Sequence, residues 1–98
     1  MKLGTFKQTP QEKKRYTISY TDWLDDGEVV ASVTYGIDNT TVPPLLVESS
    51  TVDVDGLGIT FFVSGGLDAE QYQLNVLMQT DTGQRKEDFI KYVVEDPT

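Results

Sequence analysis

An all-β domain, an antiparallel sandwich of about seven strands, is the fold class this sequence predicts. Three observations carry the prediction. Apolar residues alternate with polar ones along most of the chain, and turn residues interrupt that alternation about every 8–12 residues. No window long enough for a helix shows an apolar stripe of helical period; the best local candidate, Asp68-Ala69-Glu70-Gln71, is too short to nucleate one alone. A chain of 98 residues also fits one domain with one modest core.

The elements follow in order. Residues 1–15 read as a basic N-terminal arm, with Leu3 and Phe6 its few core-like residues, and residues 16–98 read as the sandwich. Tyr16, Ile18 and Tyr20 alternate with Arg15, Thr17 and Ser19 as a half-buried strand. Asp22-Trp23-Leu24-Asp25-Asp26-Gly27 breaks that run with turn chemistry, and Val29, Ala31, Val33 and Tyr35 then share one face of the next strand. Gly36 to Thr41 reads as a loop, and Pro43-Pro44 is incompatible with a central strand because proline cannot donate to a ladder. Leu45 to Val47 reads as a short edge strand. Thr51 to Asp55 alternates again through Val52 and Val54, and Gly56 and Gly58 flank a tight turn. Ile59, Phe61 and Val63 form the next inward face, ending at Ser64-Gly65-Gly66. Tyr72, Leu74, Val76 and Met78 mark a strand that stops at Asp81-Thr82-Gly83, a hairpin turn, and the last strand runs from about Arg85 to Val94.

One local feature narrows the architecture. Leu67 to Val76 has the form of the corner before strand F in immunoglobulin-like domains, where a tyrosine near the strand start bonds back to backbone upstream; Tyr72 is the candidate. The expected fold is therefore an immunoglobulin-like antiparallel β-sandwich. The chain has no paired cysteines, and Trp23 lies in a turn, so an antibody-type domain is excluded.

Composition removes several function classes. Without His or Cys there is no Ser-His-Asp or Cys-His catalysis, no zinc site of the usual N/S type and no disulfide framework. A net charge of −8 argues against nucleic acid or an anionic membrane as the main partner. Neither a secretory leader nor a spanning segment is visible, which points to synthesis in a cytoplasm. The charge is unevenly spread. Lys2, Lys7, Lys13, Lys14 and Arg15 face only Glu12 in the first fifteen residues, whereas Tyr16 to Gln84 contains no Lys or Arg at all.

Each conspicuous group carries a functional and a plain structural reading. Asp22, Asp25, Asp26 and Glu28 could serve a glycosidase or bind Ca²⁺, but they lack the order of an EF-hand loop and read as a solvated acidic turn. No catalytic, cofactor or metal site is expected. Trp23 with Leu24 either anchors an interface or folds inward to plug one end of the sandwich, the second being the usual fate of tryptophan. Leu45-Leu46-Val47, with Leu45 and Leu46 the contact candidates, either packs or offers an edge to a neighbouring strand. The arm is either a frayed terminus or a tether onto the acidic body of another copy or partner, through Lys7, Lys13, Lys14 and Arg15. On the tether reading, removing residues 1–15 would leave a folded monomer that no longer assembles.

The order of motifs then resembles a known family. Tyr16-Thr17-Ile18-Ser19-Tyr20-Thr21-Asp22-Trp23-Leu24-Asp25-Asp26-Gly27-Glu28 is similar to the opening of small tailed-bacteriophage virion proteins called fibre–tail adaptors. Thr60-Phe61-Phe62-Val63-Ser64-Gly65-Gly66, Tyr72-Gln73-Leu74-Asn75-Val76 and the hairpin Thr80 to Glu87 resemble that family's second half, in the same order. The resemblance implies a non-enzymatic virion component at the tail or neck, linking tail machinery to fibres through other virion proteins. It implies several copies, which with the charge division suggests a homo-oligomeric ring built through a heterologous interface. The alternative, from another class, is a carbohydrate- or calcium-binding module of a larger surface complex, which requires an exposed Trp23 and coordination by Asp25, Asp26 or nearby acids.

Overall fold

Two packed sheets of seven strands make up the protein, whose computed structural model describes residues 1–96. The strands are β1 (Lys2–Gln8), β2 (Lys13–Ser19), β3 (Val30–Ile37), β4 (Leu45–Val52), β5 (Gly58–Gly65), β6 (Gln71–Thr80) and β7 (Arg85–Val94). One sheet has the order β1-β7-β6-β3 and the other β2-β5-β4, and there is no helix among the described residues. All pairings are antiparallel except β1 with β7, which is parallel.

The core follows from strict alternation in the three central strands. Ile59, Phe61 and Val63 of β5 face Tyr72, Leu74, Val76 and Met78 of β6 and Ile90, Tyr92 and Val94 of β7, all of them buried. In the β6–β7 ladder Tyr72 lies opposite Tyr92 and Leu74 opposite Ile90, so one register places both apolar sets on the same face. Each such side chain contributes roughly 1.5–3 kcal/mol by leaving water. The turn between these strands is the expected one: Gly83 has φ +95°, and the Thr80 N–H donates to the Gln84 carbonyl at 2.8 Å.

The tyrosine corner is present. The Leu67 N–H donates to the Tyr72 hydroxyl at 2.9 Å. Gly66 permits this: its φ is +93°, and a Cβ there would stand 2.8 Å from Val94 Cγ2 and 3.3 Å from Tyr72 Cε1. The two packed layers and this corner make the sandwich immunoglobulin-like.

Three expectations need correction. Residues 1–15 are not an arm outside the sandwich, since residues 2–8 are an edge strand of the larger sheet and residues 13–15 begin β2. The period-two signal fails in β1 because its register shifts between Lys2 and Gly4, so that Leu3 packs against the core while the positions facing inward beyond the shift hold Gly4, Phe6 and Gln8. Gln8 is a buried clamp: its Nε2 donates to the Val63 and Glu12 carbonyls at 2.6 and 3.1 Å, and its Oε1 accepts from the Tyr16 hydroxyl at 2.9 Å. In β3, Val30 is buried and Ala31 exposed, because the register shifts between Val30 and Ser32; Val33, Tyr35 and Ile37 turn inward only beyond that point. That strand also runs through Gly36 and Ile37, which the sequence reads as loop. Leu45–Val47 and Thr51–Asp55 are not two strands. They merge into β4 across an irregularity between Glu48 and Thr51, where Ser49 takes φ 53°, and Val54 falls in the following turn, fully exposed.

Candidate docking surface

The acidic turn between β2 and β3 divides into two kinds of carboxylate. Asp22, Asp25 and Asp26 are exposed, as a solvated turn requires. Glu28 is buried and ties this turn to the β6–β7 hairpin: the Thr80 and Thr82 hydroxyls, the Gln84 amide and the Asp25 N–H all donate to it. These donors, the Thr82 and Thr80 hydroxyls foremost, hold its pKa at about 2. No group of three or more His, Cys, Asp or Glu among the described residues is placed to hold a metal ion. Trp23 and Leu24 are half-buried and pack against the core, which gives Trp23 the character of an end plug rather than of a projecting platform.

The basic candidates spread over one side of the molecule. Lys7 on β1 is exposed, with Glu95 at 3.8 Å. Lys13, Lys14 and Arg15 open β2, and all three are exposed. Lys13 reaches Glu48 at 3.2 Å and stands 5.4 Å from the centre of the Phe62 ring, while Lys14 lies 6.0 Å from that of Tyr16. Such exposed pairs add little stability and leave the charges available to a partner. The two leucines separate: Leu45 is 2% exposed and belongs to the core, whereas Leu46 is 45% exposed and points outward from the edge strand. Leu45 is thus withdrawn from the candidate surface.

Topology converts a division along the sequence into one across space. Lys2 and Lys7 lie on β1, Lys13, Lys14 and Arg15 on β2, and Arg85, Lys86 and Lys91 on β7, so all eight cationic side chains sit on three strands. The edge strands β1 and β2 stand over one another, linked by Gln8–Tyr16 and by the Phe6 and Tyr16 rings 5.1 Å apart. The other two edges, β3 and β4, form the opposite flank, joined by the Tyr35–Ser50 hydroxyl contact at 2.7 Å. Neither strand of that flank contains a Lys or Arg, although the Lys13 ammonium reaches over β5 to Glu48, and Asp38, Glu48, Asp53 and Asp55 lie on the flank or at its ends. Between β3 and β4 runs an open groove of about 410 Å³ lined by Val33, Tyr35, Ile37, Leu45, Leu46 and Val47. A smaller one of about 260 Å³ lies on the β1/β2 side, lined chiefly by Leu3, Phe6, Tyr16 and Ile18. Such grooves and edges suit extended protein contacts better than the enclosure of a small molecule.

Against known proteins, the family described as "Podophage GP4 fiber-tail adaptor protein gp77" matches residues 8–92. The chain belongs to this family. It is accordingly a structural phage protein of the tail, and the matched stretch covers everything from the end of β1 to most of β7. No curated protein matches the adaptor in sequence. Among solved structures, the 2,6-sialyltransferase of Vibrionaceae Photobacterium sp. JT-ISH-224 is similar to the adaptor with a TM-score of 0.53 at 9% identity. The match covers 99% of the adaptor but 18% of that chain, and at this identity it bears on the fold alone.

Sequence reasoning missed the buried polar residues of the adaptor. Gln8, Glu28, Thr80 and Asp88 are all buried. Asp88 had a legible signal: it falls on the same phase of β7 as Ile90, Tyr92 and Val94, and therefore points inward, where Lys86 reaches it at 2.6 Å and the Met1 amine at 3.6 Å. Glu28 had none, because its partners Thr80, Thr82 and Gln84 are more than fifty residues away.

Proposed function

We propose that this adaptor joins the tail machinery to fibres in the neck region through protein–protein contacts alone, without catalysis and without contacting nucleic acid or membrane. The observation that carries the reading is the family match over residues 8–92. The physical character of the chain supports it. A small core with a fully alternating centre makes a stiff body, and its four edge strands and outward charges supply directional contacts. Lys7, Lys13, Lys14, Arg15 and Leu46 remain the contact candidates, with Trp23 bracing the end of the sandwich from which neighbouring loops project. Several copies in a ring would present that set repeatedly around the tail.

The test is genetic. Phage carrying a deletion of this gene, examined by electron microscopy, should assemble heads and tails but lack fibres, and the chain supplied in trans should restore them. Fibres attached normally to particles proven free of the chain would contradict the reading.

A further inference from the structure

The layers of the sandwich are unequal, four strands against three, and an open groove lies on each side where the shorter layer ends. A strand without a neighbour on one side is a template for pairing, and proteins commonly interrupt such edges. Three of the four edges here are interrupted: β1 shifts register between Lys2 and Gly4, β3 between Val30 and Ser32, and β4 between Glu48 and Thr51. β2 is not. It runs from Lys13 to Ser19 against β5 in unbroken register. The Tyr20 N–H donates to the Leu57 carbonyl across that ladder, so by antiparallel alternation Lys14, Tyr16 and Ile18 bond β5. The N–H and C=O groups of Arg15, Thr17 and Ser19 therefore point to the open side.

Beside that edge the interior is incompletely covered. The groove of Leu3, Phe6, Tyr16 and Ile18 continues into a second of about 340 Å³, which shares Leu3, Ile18 and Ser19 and reaches Trp23. Phe6 is left 38% exposed at its rim. An added strand turns alternate side chains into these grooves and the others to solvent. Charge at the mouth selects among strands. Lys13 is held by Glu48 at 3.2 Å, but Lys14 and Arg15, both exposed, enter no ion pair among the described residues.

We propose that β2 receives an extended segment of another protein, which adds a fourth strand to the smaller sheet by bonding Arg15, Thr17 and Ser19. The inward residues of that segment are apolar and cover Leu3, Phe6 and Ile18, and an Asp or Glu near one end pairs with Lys14 or Arg15. A second copy suits the place poorly: its other edges are interrupted, and its own β2 brings more cations instead of the missing anion. The inference rests on the protein-contact reading above and gives it a surface and a partner chemistry.

The experiment compares amide hydrogen exchange, read residue by residue, of the chain free in solution and in the intact virion. Free, the Arg15, Thr17 and Ser19 amides should exchange at least about tenfold faster than those of Lys14, Tyr16 and Ile18, and in the virion the two sets should become alike. Thr17→Pro removes an outward N–H without breaking a bond to β5, and should cut incorporation into particles at least about tenfold. Thr17→Ala keeps that N–H and should incorporate normally. Lys14→Glu with Arg15→Glu should cut incorporation as the proline does, since the acidic segment is then repelled. Thermal melts establish that each variant is folded, and Ser19→Pro, at the strand's end, replaces Thr17→Pro if that variant unfolds. Normal incorporation of a folded proline variant, or edge amides that stay fast in the virion, overturns the strand addition. Incorporation indifferent to the charge reversal overturns the acidic partner. Protection of these amides that grows with the concentration of the isolated chain assigns the edge to a second copy and overturns the proposal. If the gene deletion removes fibres while the folded proline variant incorporates normally, the adaptor role stands and the strand addition falls; a protected edge in particles whose fibres attach without the chain has the opposite meaning.

Discussion

Tyr72 and Glu28 are two buried polar groups that fasten the ends of the sandwich, and each gives a measurable consequence. In Tyr72→Phe the Leu67 N–H loses its acceptor, at a cost of about 1–2 kcal/mol. For a domain of this size that lowers the melting temperature by roughly 4–8 °C per kcal/mol, which calorimetry reads directly. An unchanged melting temperature would show that water replaces the hydroxyl freely. Glu28 makes a prediction in pH. Its folded pKa of about 2 lies below the ordinary 4.5, so its stabilising contribution is complete above 4.5 and is lost as pH falls through about 2. Glu28→Gln should be less stable than the wild type at neutral pH, and the two denaturation midpoints should converge as pH falls from 4.5 toward 2. A constant gap across that range would contradict the hydrogen-bonded carboxylate. The tyrosine was legible in the sequence because its partner lies five residues upstream. The glutamate was not, because its side-chain donors come from the far hairpin, and among exposed aspartates it looks like another turn acid.

At the scale of elements, period two revealed the strands whose inward faces are mostly aliphatic or aromatic and concealed those that a bulge interrupts. β5, β6 and β7 are of the first kind, with buried positions on alternate residues from Ile59 to Val63, Tyr72 to Thr80 and Asp88 to Val94. β3 and β4 are of the second, since the shifts at Val30/Ser32 and Glu48/Thr51 move later residues to the other face. β1 was hidden for a further reason: a parallel edge strand whose inward residues include a glycine and a glutamine has no apolar pattern to read. Its place in the sheet reverses the expectation that residues 1–15 can be removed from a folded monomer. That truncation uncovers the edge of β7 and removes both the Gln8 clamp and the Phe6 ring, which lies 6.0 Å from Tyr92. The truncated chain should lose its cooperative thermal transition and its near-ultraviolet dichroism. A sharp transition at the wild-type temperature would mean that β1 adds nothing to the fold.

The whole molecule measures about 47 × 22 × 18 Å, an elongated body whose long sides are the two flanks. Its net charge of −8 repels itself, and every cation is confined to β1, β2 and β7. Screening should therefore raise the melting temperature of the isolated chain as salt increases from about 10 to 150 mM, the range over which the Debye length falls from about 30 to 8 Å. A fall over that range would show that pairs such as Lys13–Glu48 and Lys7–Glu95 outweigh the general repulsion. Of the candidate contact set, the charge division was legible at once as a run of residues without Lys or Arg. Its arrangement across the sandwich was not, because the pairing of β1 with β7 decides which edges stand together.

A three-dimensional reconstruction of the intact tail bears most directly on the central claim, that this sandwich is a passive joint between tail and fibre. The account predicts density for the seven-stranded body touching both the tail wall and the base of a fibre, once per repeating unit around the axis. Density for this chain elsewhere on the particle, or a fibre base seated on the tail with no such body between them, would contradict it.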